Sequence, residues 1–237
     1  MTARMLDQLH DLPGHELDLT GYQEFWSYFD RITDVFWKLE RMQDFREPGS
    51  ASWEAMAEGD WDRSLRLLSD DAGYVTSRTH DQKATFLRRR VRVAEHPITP
   101  YLQWEMHLLR WRYQHGEQIR VLPAVAVAEL ERERPLPELV VLGTEVLYEV
   151  RYDATGALSG ARRIQDQDVI FACRRELAEL YDQAEDLLTY FAREIAHLPP
   201  PAVRARPAIS LRGDEGRRAR GTRTDGSYGV RRDRGSS

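Results

Sequence analysis

Apolar residues follow a helical period in the first strongly patterned part of the chain. From Tyr22 to Leu39 they recur every three or four positions, which places them on one face of a helix. Glu40, Arg41 and Asp44 fall on its polar side, so we expect them to face solvent. The Pro-Gly pair in "FREPGS" predicts the end of this helix.

Two more helices are predicted before residue 70. One lies in "SASWEAMAEG", with Ser50 or Ser52 as its cap, and the next starts at Asp60. Four Trp, at positions 26, 37, 53 and 61, fall in the segment 22–70. They either pack the helices onto the rest of the protein or form a groove for a ligand or partner.

The pattern changes to alternating strands and helices after residue 85. Strands are predicted in "FLRRRVRVAE", "EQIRVLP", "ELVVLG", "EVLYEVRYD" and "GALSGARRI". A helix capped by Thr99 and ended by Gly116 separates the first two strands, and one long helix or two helices close the segment near residue 198. A short helix is predicted in "AVAVAELERER" and a hairpin turn at 153–156. The order predicts an α/β fold in the broad sense: a mixed sheet with packed helices.

We divide the chain into three parts. Residues 1–21 are predicted to be a loose lead-in, and residues 22–198 one globular domain, helical over 22–70 with an α/β core over 86–198. Residues 199–237 are rich in Arg, Gly, Ser and Pro, so we expect a disordered tail.

Charge is distributed unevenly between these parts. Residues 201–237 hold ten Arg against four acidic residues, so the first 200 residues carry a net charge of −11. An acidic body argues against a general nucleic-acid surface on the folded part. Nucleic acid is expected to bind through the tail if at all, and the alternative is a dispensable extension.

Composition and missing motifs narrow the function further. The apolar runs are too short for a membrane span, and one cysteine, Cys173, suggests a reducing compartment, so we expect a cytoplasmic protein. The chain has no Gly-rich phosphate loop, GxGxxG, HExxH, GxSxG or cysteine cluster. We therefore expect no cofactor and no metal, name no catalytic residue, and favour a protein that is not an enzyme.

One charge arrangement is unusual. Arg88, Arg90 and Arg92 share one face of the first predicted α/β strand, opposite Val91 and Val93. In the helix that follows, two charged residues fall inside a wide apolar arc, Glu105 and Arg112. A buried ionised carboxylate is costly unless it is paired.

Because a strand and the helix after it normally pack together, the arginines are the natural partners of Glu105. The five charges form either a pocket for an anionic or polar ligand, or a satisfied internal salt-bridge network.

Several stretches together resemble a known family, among them "RRVRVAEHPITPYLQWEMHLLRW", "GEQIRVLP" and "PLPELVVLGTEVLYEVRYDATGALSGARRIQD". The resemblance spans roughly residues 25–201. It is to an actinobacterial family known only as a domain of unknown function, whose members are often encoded beside helix-turn-helix regulators. The resemblance implies a small α/β domain with a role in regulation or signalling.

The order of elements also looks like one half of a phospholipase D-like fold. That fold's signature is His-x-Lys followed by Asp, whereas "HDQK" places two residues between His80 and Lys83. The resemblance therefore implies a non-catalytic version.

Two functions follow. The first is a non-enzymatic, cytoplasmic regulatory or interaction module with a protein partner, a helix-turn-helix regulator by the resemblance, and a small anionic ligand as an option. The alternative is an enzyme or a nucleotide- or phosphate-processing domain with an unrecognised site around Arg90, Arg92 and Glu105.

Overall fold

The computed structural model describes residues 4–68, 86–203, 223–225 and 228–230. The strands of the main sheet are β1 (His15–Asp18), β2 (Val35–Glu40), β3 (Leu87–Ala94), β4 (Gln118–Pro123), β5 (Leu139–Leu142), β6 (Val146–Tyr152), β7 (Leu158–Ile164) and β8 (Glu185–Asp186). They form a mixed sheet of eight strands in the order β1-β7-β6-β5-β2-β3-β4-β8.

The helices vary widely in length. They are α1 (Met5–Gln8), α2 (Leu19–Tyr22), α3 (Phe25–Phe29), α4 (Ala51–Ala57), α5 (61–68), α6 (Pro100–Gln114), α7 (Gln167–Gln183) and α8 (Leu187–Tyr190). Short 3₁₀ turns span Leu9–Asp11 and Ala124–Ala126, and a π turn spans Phe191–Ile195. The fold class is thus as predicted: a mixed sheet with packed helices.

Strand directions bring several chain ends to one edge of the sheet. Strands β2, β3 and β4 are parallel, whereas β5 is antiparallel to β2 and β6 is antiparallel to β5. The carboxyl ends of β2, β3, β4 and β6 therefore meet the amino end of β5 at one edge, which we call the carboxyl edge.

The two faces of the sheet differ in chemistry at β2 and β3. One face carries apolar side chains that pack with α7, including Trp37, Leu39, Val91 and Val93. The opposite face carries Lys38, Glu40, Arg90 and Arg92, all almost fully buried. Helix α6 covers this charged face, and it packs on β4 through a further apolar cluster that includes Leu102, Met106 and Ile119.

The predicted helix from Tyr22 to Leu39 is wrong in its second half. Residues 35–40 form β2, a central strand, because Trp37 and Leu39 alternate with Lys38 and Glu40 across the sheet. Both faces of β2 are buried, so its apolar residues imitate a helical period. The predicted solvated face is also wrong for Glu40, which is 3% exposed.

The expected loose lead-in is wrong for residues 5–18. Leu6 and Leu9 are fully buried, the backbone N–H groups of Met5 and Leu6 donate to Glu176, and β1 pairs with β7 as an edge strand. Sparse apolar residues are enough here because Leu6 and Leu9 belong to the main core together with Ile170 and Leu177 of α7.

Other local predictions are confirmed. Thr99 caps α6 by accepting from the Leu102 N–H at 3.0 Å, and Gly116 follows its end with φ of 90°. Ser50 caps α4, and the 153–156 turn joins β6 to β7. In "AVAVAELERER" only the turn Ala124–Ala126 forms, where a short helix was expected.

Of the two interpretations of the four tryptophans, the structure shows packing and not a groove. Trp37 lies in the main core, and Trp26 packs on the aromatic cluster around Phe29. Trp53 and Trp61 pack against α6 beside Trp104, whose indole N–H donates to Ser52 at 2.9 Å.

Most of the predicted disordered tail lies outside the described residues. Within it, Arg223–Asp225 (β9) and Tyr228–Val230 (β10) form a separate antiparallel pair, so the expectation of an unstructured tail is not met for these six residues. His80 and Lys83 of "HDQK" also lie outside the described part. No helix in the part of the chain that the structure describes is long and apolar enough to cross a membrane.

Candidate ligand-binding cleft

The predicted contact between the arginines of β3 and Glu105 is confirmed at Arg92. Helix α6 follows β3 after the short segment 95–99, and its second turn places Glu105 over that strand. There the Arg92 Nε donates to Glu105 Oε2 at 2.7 Å, and both side chains are buried.

Glu40 extends this pair into a network. Its Oε1 lies 2.6 Å from Lys38 Nζ, and its Oε2 accepts from Arg90 Nη1 at 2.6 Å. The Arg90 Nε in turn donates to Glu117 Oε1 at 2.7 Å. All these side chains are at most 5% exposed, so the network is sealed beneath α6.

The carboxylates of this network differ in their electrostatics. Burial opposes ionisation of Glu40, but Arg90, Lys38 and Arg92 outweigh it and hold the pKa of Glu40 below its ordinary value. Burial of Glu117 is likewise outweighed, by Arg90 and Arg112, and its pKa is lowered. Burial dominates at Glu105, whose pKa is raised although Arg92 offsets part of the effect.

Two of the five predicted site residues lie at the border of the network. Arg112 is 3% exposed, and its charge acts on Glu117. Arg88 is partly exposed and donates to the carbonyl of His115 at 2.8 Å, at the end of α6. The geometry is therefore that of an internal ion-pair network, the second of the two interpretations of the sequence.

A cleft of about 670 Å³ lies at the carboxyl edge of the sheet. Its walls come from the segments after β2 and β3, the loop before β5 and the end of β6. Apolar side chains contribute much of the lining, namely Met42, Pro135, Leu136, Pro137, Val150 and Tyr152. None of the five charged residues predicted from the sequence lines this cleft.

Glu138 is the buried carboxylate of the cleft. Its Oε1 accepts from the backbone N–H groups of Arg41 at 2.7 Å and Met42 at 2.6 Å. Its Oε2 is buried and accepts no hydrogen bond from any residue within the described ranges. The side chain lines the cleft although the residue is only 7% exposed.

The surroundings of Glu138 favour its neutral form. Burial raises its pKa to about 7, the two backbone donors and Arg92 counteract this only in part, and the charge of Glu40 adds to the rise. A carboxyl with such a pKa changes its protonation state near neutral pH.

The arginines around the cleft already have carboxylate partners. Arg41 forms a two-bonded pair with Glu131, at 2.5 and 2.8 Å, and lies 2.6 Å from Glu95. Arg134 pairs with Asp11 at 2.9 Å.

Glu149, a second buried carboxylate at this edge, is saturated. It lies 2.8 Å from His10 Nδ1, 2.8 Å from Arg151 and 2.5 Å from Arg162. Glu149 and Glu138 are both buried, so they differ in the number of cationic partners and not in burial.

The cleft and the sealed network share a boundary. Arg92 donates through Nη1 to the carbonyls of Val93, at 2.9 Å, and Glu40, at 3.3 Å. The charges of Arg92 and Glu138 act on each other. Glu138 is thus the point at which the buried charges approach the cleft.

Sequence reasoning missed Glu138. The sequence offers one indication of Glu138: it is an acidic residue placed between Pro137 and the apolar run that forms β5. That signal becomes informative once β5 is known to start at the carboxyl edge, where ligands bind in open α/β sheets. No group of His, Cys, Asp and Glu suited to a metal ion occurs within the described ranges.

The fold and the cleft define a mixed α/β domain with a carboxylate-floored cleft at the edge of its sheet. Residues 23–192 match the family described as "Domain of unknown function (DUF6879)", and the chain belongs to that family. No curated protein matches the chain.

Among solved structures, the chain is similar to TrmBL2, described as an archaeal chromatin protein that shows a novel mode of DNA binding. The identity is 8% and the TM-score 0.34, and the match covers 69% of this chain and 50% of that one.

Proposed function

We propose that this domain is a non-enzymatic module that binds a small polar ligand in the Glu138 cleft. The observation that carries the proposal is the position of Glu138: the residue lines the cleft, and its buried Oε2 accepts no hydrogen bond from the described residues. An unmet buried acceptor is costly, so a ligand that supplies a donor gains from meeting it. The cleft volume of about 670 Å³ is in the range of small-molecule sites.

The cytoplasmic regulatory role is part of the same proposal. The family resemblance implies a helix-turn-helix regulator as protein partner, and ligand occupancy is the signal that the module would pass to it. The sealing of Arg90, Arg92 and Glu105 makes the alternative enzyme or phosphate site around them less favourable, because a substrate cannot reach those side chains without displacing α6. A relation to an inactive phospholipase D-like half-domain remains a hypothesis.

Ligand capture from the native host tests this function. The tagged protein is purified without denaturation, and the small molecules that it releases on unfolding are identified by mass spectrometry. Met42→Trp, which fills the cleft, should carry at least about tenfold less of the released molecule, the loss expected when about 1.4 kcal/mol of binding is removed.

Val125→Trp is the matched control, because Val125 is 81% exposed and does not line the cleft. It should carry the molecule as the unmodified chain does. Circular dichroism checks that both variants fold. Equal yields from the two variants, or no released molecule from the unmodified chain, would contradict the proposal.

A further inference from the structure

We infer that the ligand of the Glu138 cleft carries a protonated amine on a compact apolar body; this inference rests on the proposed ligand-binding function. The inference is drawn from the unmet acceptor of Glu138, from the apolar side chains of the lining and from the charged lining residues that already have partners.

Within the described ranges, the hydrogen bonds of Glu138 involve only one of its two oxygens. Its Oε1 is held by the backbone of Arg41 and Met42, whereas Oε2 receives nothing from the described residues. When Glu138 is ionised, both oxygens are acceptors, so the ligand group that meets Oε2 must be a donor. A carboxylate has no donor to offer once it is ionised.

Arg41 and Arg134, at the rim of the cleft, already have carboxylate partners. Arg41 is engaged by Glu131 and Glu95, and Arg134 by Asp11. An anionic ligand would have to displace a carboxylate from one of these arginines. An ammonium group needs no such exchange, and its bond to an ionised carboxylate is charge-assisted and stronger than a neutral one.

Apolar side chains form part of the cleft walls. The methylene, ring and thioether surfaces of Met42, Leu136, Pro137 and Val150 offer no charged partner to a ligand. They suit the apolar body of an amine, which leaves water when it binds.

Three probes with one ring separate the chemical classes: benzylamine, benzyl alcohol and benzoate. The groups that act on Glu138 are Glu40 on β2, Arg92 on β3 and the two backbone donors after β2, and Tyr152 approaches it from β6. Because a cation requires ionised Glu138, benzylamine should bind about tenfold more tightly at about pH 8 than at about pH 6. Benzyl alcohol and benzoate should bind more weakly than benzylamine at about pH 8.

Glu138→Gln is the test variant. The backbone N–H groups of Arg41 and Met42 keep an oxygen at the Oε1 position, so the Gln amide nitrogen takes the place of Oε2 and opposes an ammonium group. This variant should bind benzylamine at least about tenfold more weakly at about pH 8 and lose the pH dependence. Glu145→Gln is the control, because it removes the same charge at a half-exposed position outside the cleft.

Each other outcome has a defined meaning. Preference for benzoate, equal binding of benzyl alcohol, or no saturable benzylamine binding at about 10 mM overturns the amine inference. If benzoate binds and Met42→Trp abolishes it, the cleft still binds ligands and the proposed function stands. If Met42→Trp changes neither probe binding nor the captured molecule, the proposed function itself fails.

Discussion

Glu40 and Glu138 are both buried carboxylates, yet their surroundings move their pKa values in opposite directions. Each oxygen of Glu40 has a cationic partner, and the pKa of Glu40 is lowered. Glu138 has two backbone donors on one oxygen, and its pKa rises to about 7. The comparison teaches that depth alone does not make a site. Arg92 Nη2 and Glu138 Oε2 both lack a hydrogen bond within the described residues, but only Glu138 belongs to the lining of a cleft.

The same contrast separates the two regions around them. The network under α6 closes its charges on one another and excludes solvent, as structural ion pairs do. In the cleft at the carboxyl edge, Arg41 and Arg134 have carboxylate partners, and the buried Oε2 of Glu138 has no hydrogen bond from the described residues. Breaking the first region should therefore cost stability, whereas neutralising the second should not.

The largest effect is expected from Arg92→Met. The variant removes the cation from Glu105 and two donors from backbone carbonyls, and it leaves a buried charge without its partner. We expect a loss of about 3–5 kcal/mol in the free energy of unfolding, measured by denaturant titration. Arg88→Met, on the same strand face but partly exposed, is the control and should cost less than about 1 kcal/mol. Equal losses would contradict the sealed network.

Glu138→Gln should instead stabilise the protein above neutral pH. The pKa of Glu138 is about 7 in the folded chain and near its ordinary value of 4.5 in the unfolded chain. Between these values the folded protein binds more protons, so its stability falls as pH rises and stays lower above pH 7. Gln removes this penalty, so we expect a gain of as much as about 3 kcal/mol at about pH 8 and little change at about pH 4. A loss of stability at both pH values would rule out the assignment.

Glu105→Gln should have an intermediate effect. The Gln oxygen still accepts from Arg92 Nε, but the bond loses the charge of its acceptor. Because burial already raises the pKa of Glu105, we expect a loss of only about 2 kcal/mol, without any ligand present. Thermal unfolding measures it, and an unchanged midpoint would argue against a structural role for the pair.

The smallest effect is expected at the rim. Arg134 pairs with Asp11 through exposed side chains, so Arg134→Met should leave the unfolding midpoint unchanged within error. A clear drop would mean that rim charges hold the fold as the buried charges do.

The hydrophobic period was sufficient to predict an element that has one polar and one apolar face. It predicted β3, α6 and the contact of Arg92 with Glu105, because alternation and capping are local signals. It misassigned β2, since both faces of that strand are buried and its charged residues Lys38 and Glu40 pair with each other and with Arg90 of β3. It could not single out Glu138, because the missing donor is a property of the assembled carboxyl edge and not of "PLPELVV".

The central claim is that the hydrogen bonds and nearby cations of Glu138 do not offset the cost of burying its charge. A carbon-13 NMR titration of the side-chain carboxyl tests this directly. Comparison of the spectra with those of Glu138→Gln assigns the signal. The account predicts a midpoint near the pKa of about 7. A midpoint near the ordinary value of 4.5 would contradict it, because the carboxylate would then be as well compensated as any in solvent.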